Sequence, residues 1–427
     1  MHIEILYSAF LRSSGINTDT RSLQAGQMFW ALKGPNFNGN KFIGQALDQG
    51  AAYVVTDEET GIKDSRILRV EAGLRDLQKL AHHHRLVWGK HVIGVCGSNG
   101  KTTTKELISR VLSVKFRVYS TPGNLNNHIG VPLCLLQLKD EHDLAVIEMG
   151  ANHPGEIADL CYLAEPNTGL ITNIGKDHLE GFGTIEKTAR ANGELFDFLH
   201  QTLGTAIVNT SDEWNQKLRE KIKKQFTFPG PEDDAPCILA HSAFFLSIQI
   251  PGFDSVETKL TGSYNFHNLA CALAVGKYYG VDPEEALNAA STYEPGNNRS
   301  QIVLTSKNTV ISDAYNANPS SVLAALENLN SLPSARKIAV LGDMLELGKD
   351  SNKEHRELGL WASQHPEIEF WVTGTEMAAF YEACPSANWF QDKSGLVDFV
   401  QKANPETCCV LLKGSRGMKL ETLLPYL

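Results

Sequence analysis

What this chain has little of narrows it first. No apolar run reaches the roughly 18 residues that a membrane-crossing helix needs. The opening "MHIEILYSAF" has neither the basic start nor the cleavage pattern of a secretory signal. A cytoplasmic protein with no membrane insertion is the expectation. Cysteine is sparse, eight in 427 residues, without a C-x-x-C pair, and the adjacent Cys408 and Cys409 have no metal-binding spacing. They read as buried thiols of a reduced compartment. Positive charge is short too: 39 Lys and Arg against 49 Asp and Glu leave a formal charge of -10. Such a chain is no general polyanion binder, so nucleic acid is not expected as a partner, and an anionic ligand must be gripped by a local site. Repeats and low-complexity tracts are missing as well.

What is present, 42% hydrophobic and 21% charged residues, belongs to a soluble globular protein too long for one ordinary core. Three blocks emerge. Residues 1–88 hold short strand-like runs ("QMFWALKG", "AAYVVTD", "RILRVE") and a helix ending near "LQKLAHHHRLVWG". Its "AHHHRL" tract reads as a polar surface patch. In residues 89–298, "HVIGVC", "DLAVIEMG", "TGLITNIG" and "GTAIVNT" alternate with the helical "KTTTKELISRVL" and "TIEKTARANGELFDFL", which predicts a parallel sheet covered by helices. "PGPEDDAP" reads as an exposed loop before the antiparallel-looking "AFFLSIQI", and the Pro-Gly-Asn-Asn of "YEPGNNRS" as a hinge. Residues 299–427 alternate again, with strands "KIAVLGD", "EIEFWVTG" and "CCVLLKG" and helices "SSVLAALENLN" and "HRELGLWASQ", a smaller α/β domain.

The chemistry concentrates in "HVIGVCGSNGKTTTKE". The strict G-x-x-x-x-G-K-S/T pattern is missed, because Val95 stands where its first glycine would be. Yet Gly97-Ser98-Asn99-Gly100-Lys101-Thr102 follows a strand and opens a helix. Glycines let successive N–H groups turn toward an anion, and the helix adds its positive end. Lys101 supplies charge for the β- and γ-phosphates, and the Thr102 hydroxyl suits Mg²⁺. An ordinary Gly-rich turn is the plain alternative, and Lys-Thr-Thr argues against it. Glu148 ends a hydrophobic strand and places a carboxylate at the ligand-binding edge of the sheet, a metal partner. His178 follows the next strand on the same edge. A lone histidine is commonly structural, but this one is placed to complete a metal site.

These residues resemble the ATP-dependent Mur ligases of peptidoglycan synthesis, over nearly the whole chain. The shared loop is matched by "GSNGKTTTKE", the metal-binding Glu by "IEMGANHPGEI", and the metal-binding His by "NIGKDHLEGFG". The nucleotide-facing Asn is matched by Asn268 in "GSYNFHNLACALA" and the domain-junction Arg by Arg299 in "NNRSQ". Four further strings, "TPGNLNNHIGVPL", "DAYNANPSSVLAAL", "VLGDMLELG" and "LLKGSRGMKLE", point within the family to the members that take up D-alanyl-D-alanine. The N-terminal "TDTRSLQAGQMFWALKGPNFNGNKFI" is similar to a UDP-sugar-binding domain.

The resemblance implies an α/β protein of three domains: a UDP-MurNAc-peptide-binding domain (1–88), a central phosphate-loop ATPase-like parallel-sheet domain (89–298) and a C-terminal Rossmann-like domain (299–427). It implies an ATP-dependent amide ligase joining D-Ala-D-Ala to the terminal carboxylate of UDP-MurNAc-tripeptide through an acyl phosphate, with ATP and Mg²⁺ as cofactors. By the same route Gly97, Ser98, Asn99, Gly100, Lys101, Thr102, Thr103 and Asn268 bind ATP, joined on domain closure by Arg299, Asp313, Tyr315 and Asn318. Thr102, Glu148 and His178 hold metal, and Lys101, Glu148 and His178 are catalytic. Thr20, Arg21, Lys33 and Asn38 match the nucleotide-sugar pocket, Asn124, Asn126 and Asn127 face the peptide end, and Ser415 falls to the dipeptide region. Asn126-Asn127 also reads as a loop or helix cap. No long exposed apolar helix suggests a partner, so a monomer is expected.

One departure stands out. The family commonly carries a carbamylated lysine in a stretch like A-K-A-K-G-E, a ligand of the second Mg²⁺. Here "TARANGELF" puts Asn192 at that position. Three readings follow: His178 and the substrate hold that ion alone, another carboxylate or a bound anion substitutes, or the protein is impaired. Glu194 lies about 200° around the helix from Asn192, which makes it a poor direct substitute. Two rival functions remain open on sequence, a sister ligase adding the third amino acid and a phosphate-loop ATPase acting as a conformational switch. A third reading, a non-enzymatic nucleotide-sugar binder, has only Asn192 in its favour.

Overall fold

The strand His91–Cys96 sits inside a six-stranded sheet in the order Lys224–Phe228, Thr205–Asn209, Thr168–Ile171, His91–Cys96, Leu144–Glu148, Val118–Ser120, with every neighbour parallel. This computed structural model describes residues 1–427. The inner strands are apolar without a break because both faces are covered. Side chains alternate between the faces: Ala145 and Ile147 enter one core, Leu144 and Val146 the other. The edge strands Val118–Ser120 and Lys224–Phe228 are only partly buried, so they lack the continuous apolar run that reveals the others in sequence. A three-stranded antiparallel sheet, Ile238–Ser242, Leu246–Gln249 and Val256–Glu257, packs Leu246 and Ile248 into the second core.

The first block folds as a four-stranded parallel sheet, Ile16–Asn17, Met28–Trp30, Tyr53–Thr56 and Ile67–Arg69, with a hairpin of Lys33–Gly34 and Phe37–Asn38 beside it. Helix Gly73–Trp88 joins it to the central sheet and stops at Gly89, whose φ of 66° lies in the left-handed region. Its "AHHHRL" tract is not the surface patch expected from polarity. His84 and Arg85 are buried, with His84 Nε2 2.9 Å from the Leu138 carbonyl and Arg85 Nε donating to Ala164 at 2.7 Å. Trp88 Nε1 donates to Lys139 at 2.9 Å. Polar residues at a domain seam are indistinguishable in sequence from solvated ones; here backbone carbonyls of the second domain take their hydrogen bonds.

The C-terminal block forms a second six-stranded sheet, ordered Gln301–Leu304, Thr309–Asp313, Cys409–Lys413, Lys337–Gly342, Ile368–Thr373, Asn388–Phe390. Only its first strand is antiparallel. Cores of 23 and 13 buried residues cover its two faces, which makes this a doubly covered α/β domain. Between Ser291 and Gln301 the chain has no helix or strand, and Asn297, Asn298 and Ser300 all have positive φ. The hinge expected at "YEPGNNRS" is thus an irregular connection.

Candidate active site

The carboxyl edge of the central sheet faces the C-terminal domain across a cavity of about 720 Å³. Its floor is the turn after strand His91–Cys96. Gly97 has φ 127°, and a Cβ there would stand 2.2 Å from Thr172 Oγ1, so the turn packs too closely for any side chain. Gly100, at φ 79°, caps the helix Lys101–Leu112 and lies against Asn268. The Lys101 ammonium folds back to donate to the carbonyls of Gly97 and Ser98. Thr102, one residue on, donates from Oγ1 to Glu148 Oε2 at 2.9 Å, and Glu148 Oε1 accepts from Asn126 Nδ2 at 2.8 Å. Glu148 is 1% exposed, a buried carboxylate fully engaged with protein donors. Lys105 Nζ lies 3.7 Å behind it.

Asn268, read as nucleotide-facing, is tied between Thr104 Oγ1 at 3.0 Å and Asn265 Oδ1 at 2.8 Å. The segment after strand Val118–Ser120 brings Asn124, Asn126 and Asn127 to the cavity. Asn127 Oδ1 also accepts the N–H groups of Ile129 and Gly130, so it is a cavity residue and a helix-entry cap at once. His178 sits at φ 45° with its Nδ1 2.7 Å from Glu346 Oε2 of the C-terminal domain. Burial disfavours the imidazolium, but the hydrogen bond to Glu346 and the charges of Asp177 and Glu346 outweigh it and hold the imidazole above its ordinary range. The same contact lowers the Glu346 carboxyl.

The opposite wall comes from the C-terminal domain. Asn318 caps the helix Pro319–Ser331 through Ser321 and reaches across to Asn99 Oδ1 of the phosphate loop at 2.8 Å. Asp313 takes Lys413 Nζ at 2.7 Å and the Ser300 N–H at 3.0 Å. The Arg299 guanidinium lies 3.6 Å over the Tyr315 ring, with Arg416 on the same ring at 5.7 Å. Lys413, Arg416, His267, Asp177 and Glu346 line the cavity too, and the sequence reading missed all five. Lys413 and Arg416 flank Ser415 in "LLKGSRGMKLE", where two cations within four residues were the available signal. Ser415 itself is off the wall: it is buried, and its hydroxyl accepts the Leu345 N–H at 2.8 Å.

The N-terminal candidates lie apart from this cavity. Lys33 and Asn38 are register partners, and both reach Glu58, at 2.8 and 3.2 Å. Arg21 is paired with Asp19 at 2.6 Å, and Thr20 is buried. Asn192 is also off the wall: its buried amide donates to the Thr188 carbonyl at 2.9 Å. Glu194 is spent on the N–H groups of Gly155 and Ala158.

No three carboxylate, thiol or imidazole groups converge as a metal cage. The paired oxygens of Thr102 and Glu148 are nonetheless hard donors beside a phosphate loop. They suit Mg²⁺, which binds through one or two protein oxygens and completes its shell with phosphates and water.

Comparison with known proteins finds one family along most of the chain. Residues 12–111 match the catalytic domain of the Mur ligase family, residues 95–276 the Mur ligase middle domain, and residues 298–416 the Mur ligase glutamate ligase domain. The UDP-N-acetylmuramoyl-tripeptide–D-alanyl-D-alanine ligase of Bacillus subtilis is 34% identical over 96% of this chain and 92% of its own length. That of Escherichia coli is 32% identical over 98% and 94%. Among solved structures, a crystal structure of MurF from Acinetobacter baumannii superposes with a TM-score of 0.89 at 30% identity, covering 99% of this chain and 97% of that one. MurF from Thermotoga maritima in complex with ADP gives a TM-score of 0.85 at 26% identity, over 98% and 97%.

Proposed function

The chain belongs to the Mur ligase family, and from that premise we propose how its cavity makes an amide bond. The activity is ATP-dependent ligation of D-alanyl-D-alanine to the terminal carboxylate of UDP-N-acetylmuramoyl-tripeptide, a step of peptidoglycan precursor synthesis. The observation that carries the residue assignment is that Lys101, the Thr102–Glu148 pair, Asn124–Asn127 and the cations Arg299, Lys413 and Arg416 share one cavity.

The physical difficulty is bringing an anionic carboxylate to an anionic triphosphate. The backbone N–H groups of residues 98–103 and the helix end behind them take the phosphate oxygens, and Lys101 leaves its carbonyls to put its charge on them. Mg²⁺, held by Thr102, Glu148 and His178 together with phosphate oxygens, would neutralise the triphosphate and polarise the γ-phosphoryl group. The peptide carboxylate, presented by Asn124, Asn126 and Asn127, attacks the γ-phosphorus. ADP leaves and an acyl phosphate remains. The amine of D-Ala-D-Ala then attacks the acyl carbon, phosphate departs, and the amine gives up a proton. Arg299, Tyr315, Asn318 and Arg416 close the other side against water, as an acyl phosphate requires. Thr20, Arg21, Lys33 and Asn38 lie on the N-terminal domain and hold the UDP-sugar end, remote from the reacting atoms.

ATP and UDP-linked precursors are cytoplasmic pools, so the reaction belongs in the cytoplasm. Asn192 has no amine to carbamylate, and Glu194 is already engaged. That leaves His178 and the substrate's own oxygens to hold a second ion. Turnover is therefore expected to be the same in CO₂-free buffer and with added bicarbonate; a bicarbonate-restored loss sinks that account.

The deciding experiment is ADP release with Mg²⁺-ATP and UDP-MurNAc-tripeptide, with and without D-Ala-D-Ala. Release that requires both acceptor substrates establishes the assignment. Release that ignores both makes the cavity that of an ATPase switch.

A further inference from the structure

Lys105 is 1% exposed, and the mechanism above does not use it. A buried ammonium is costly unless its protons and charge are taken up. It lies three residues after Thr102 on the helix Lys101–Leu112, so one face of that helix delivers both side chains to Glu148. Its Nζ donates to the carbonyls of Thr121 at 2.7 Å and Gly123 at 3.1 Å, and stands 3.7 Å from Glu148 Oε2. Glu106 Oε1 is farther, at 4.0 Å.

Those two carbonyls are the root of the segment that carries Asn124, Asn126 and Asn127 to the cavity. Thr121 is tied to the sheet as well, since its hydroxyl accepts the Glu148 N–H at 3.0 Å. Gly123 is not: it has φ 54°, and open space surrounds the position a Cβ would take. The Lys105 ammonium holds that end, and farther along Asn126 donates to Glu148 at 2.8 Å while its carbonyl accepts the Gly150 N–H at 2.8 Å.

We propose that Lys105 is a positioning residue that holds the peptide-facing segment 124–127 in register with Glu148, and so sets where the substrate carboxylate lies relative to the transferred phosphate. This rests on the reading of Asn124–Asn127 as the peptide face. Lys105 touches no substrate. It acts through the segment and through Glu148, because without it the buried Thr121 carbonyl and the Gly123 carbonyl lose their donor and the carboxylate loses its counter-charge.

The test measures KM for UDP-MurNAc-tripeptide, ATP and D-Ala-D-Ala separately, with the thermal midpoint alongside. Lys105→Met is expected to raise the KM for the UDP-peptide about tenfold or more while the KM for ATP stays within about threefold. Lys105→Gln, which keeps an N–H donor, is expected to fall between it and the parent; where Lys105→Met does not accumulate as folded protein, Lys105→Gln carries the same readout. Asn124→Ala, an exposed cavity residue, calibrates the peptide face. A higher peptide KM in Asn124→Ala with both Lys105 variants silent overturns the inference alone. Silence in all three overturns the peptide-face reading with it. Equal rises in the peptide and ATP constants assign Lys105 a structural role only and overturn the proposal.

Discussion

The central domain meets its two neighbours across seams of opposite character. On the N-terminal side, Leu77, Leu80 and Ala81 of the connecting helix belong to a single 36-residue core that runs from Leu6 to Ile222. The polar residues of that helix end, His84, Arg85 and Trp88, are fastened to central-domain carbonyls. On the C-terminal side the contact is almost wholly polar. Asn318 meets Asn99, Lys176 meets Ser320 and Glu354, and His178 meets Glu346, while Leu179 is the one buried central-domain residue in the C-terminal core, with the partly buried Phe244 packed against it. Apolar surface removed from water resists separation at about 25 cal/mol per Å², whereas each polar contact nets about 1 kcal/mol because water replaces it. The N-terminal seam therefore resists separation more than the C-terminal one, whose connection through Asn297, Asn298 and Ser300 is irregular.

The contrast breaks most visibly at Trp88. Trp88→Ala removes a buried ring from the apolar seam, an expected loss of about 3–5 kcal/mol in denaturant unfolding, with turnover per folded molecule unchanged. Glu148→Gln acts on the cavity floor and should show first in turnover: ADP release falls about 100-fold, equivalent to about 2.7 kcal/mol of barrier, together with a loss of unfolding stability because the buried Lys105 ammonium loses its counter-charge. Asn318→Ala straddles both behaviours. It removes a helix cap, about 1 kcal/mol of stability, and the bond to Asn99, an expected several-fold drop in kcat. An Asn318→Ala protein with full kcat would show that the C-terminal wall closes without that contact.

The smallest effect is that of pH on the apolar seam. Burial pushes the His84 imidazole below its usual range of about 6.5. The unfolded chain then takes up a proton that the folded one refuses, so His84 costs stability as pH falls below about 6.5 and has no effect above it. His84→Gln should flatten that slope in thermal midpoints measured across mild acid. An unchanged slope assigns it to other groups.

Much of the active-site floor was legible because it is local. A strand, a glycine turn and a helix start lie within sixteen residues, and no tertiary information is needed to expect an anion there. Glu148 and His178 were legible for a related reason, since a strand's end is also a sheet's edge. The "AHHHRL" tract was misread because charge pattern cannot tell solvent from a neighbouring domain's carbonyls. Ser415 was chosen over Lys413 and Arg416 because position in a motif does not say which side chain turns toward a cavity. Lys105 went unused because a lysine in a helix reads as solvated until its partners, Thr121, Gly123 and Glu148, are in view.

The sequence by itself determined the alternation of strands and helices, the phosphate turn and the sheet-edge carboxylate, since each depends on neighbours a few residues away. Tertiary structure alone decided which residues form the second wall, such as Asn318 against Asn99, and that Asn192 and Glu194 are engaged away from the cavity. Those contacts join segments tens to hundreds of residues apart, and only the packing of the sheets and their covering helices sets the distance between them.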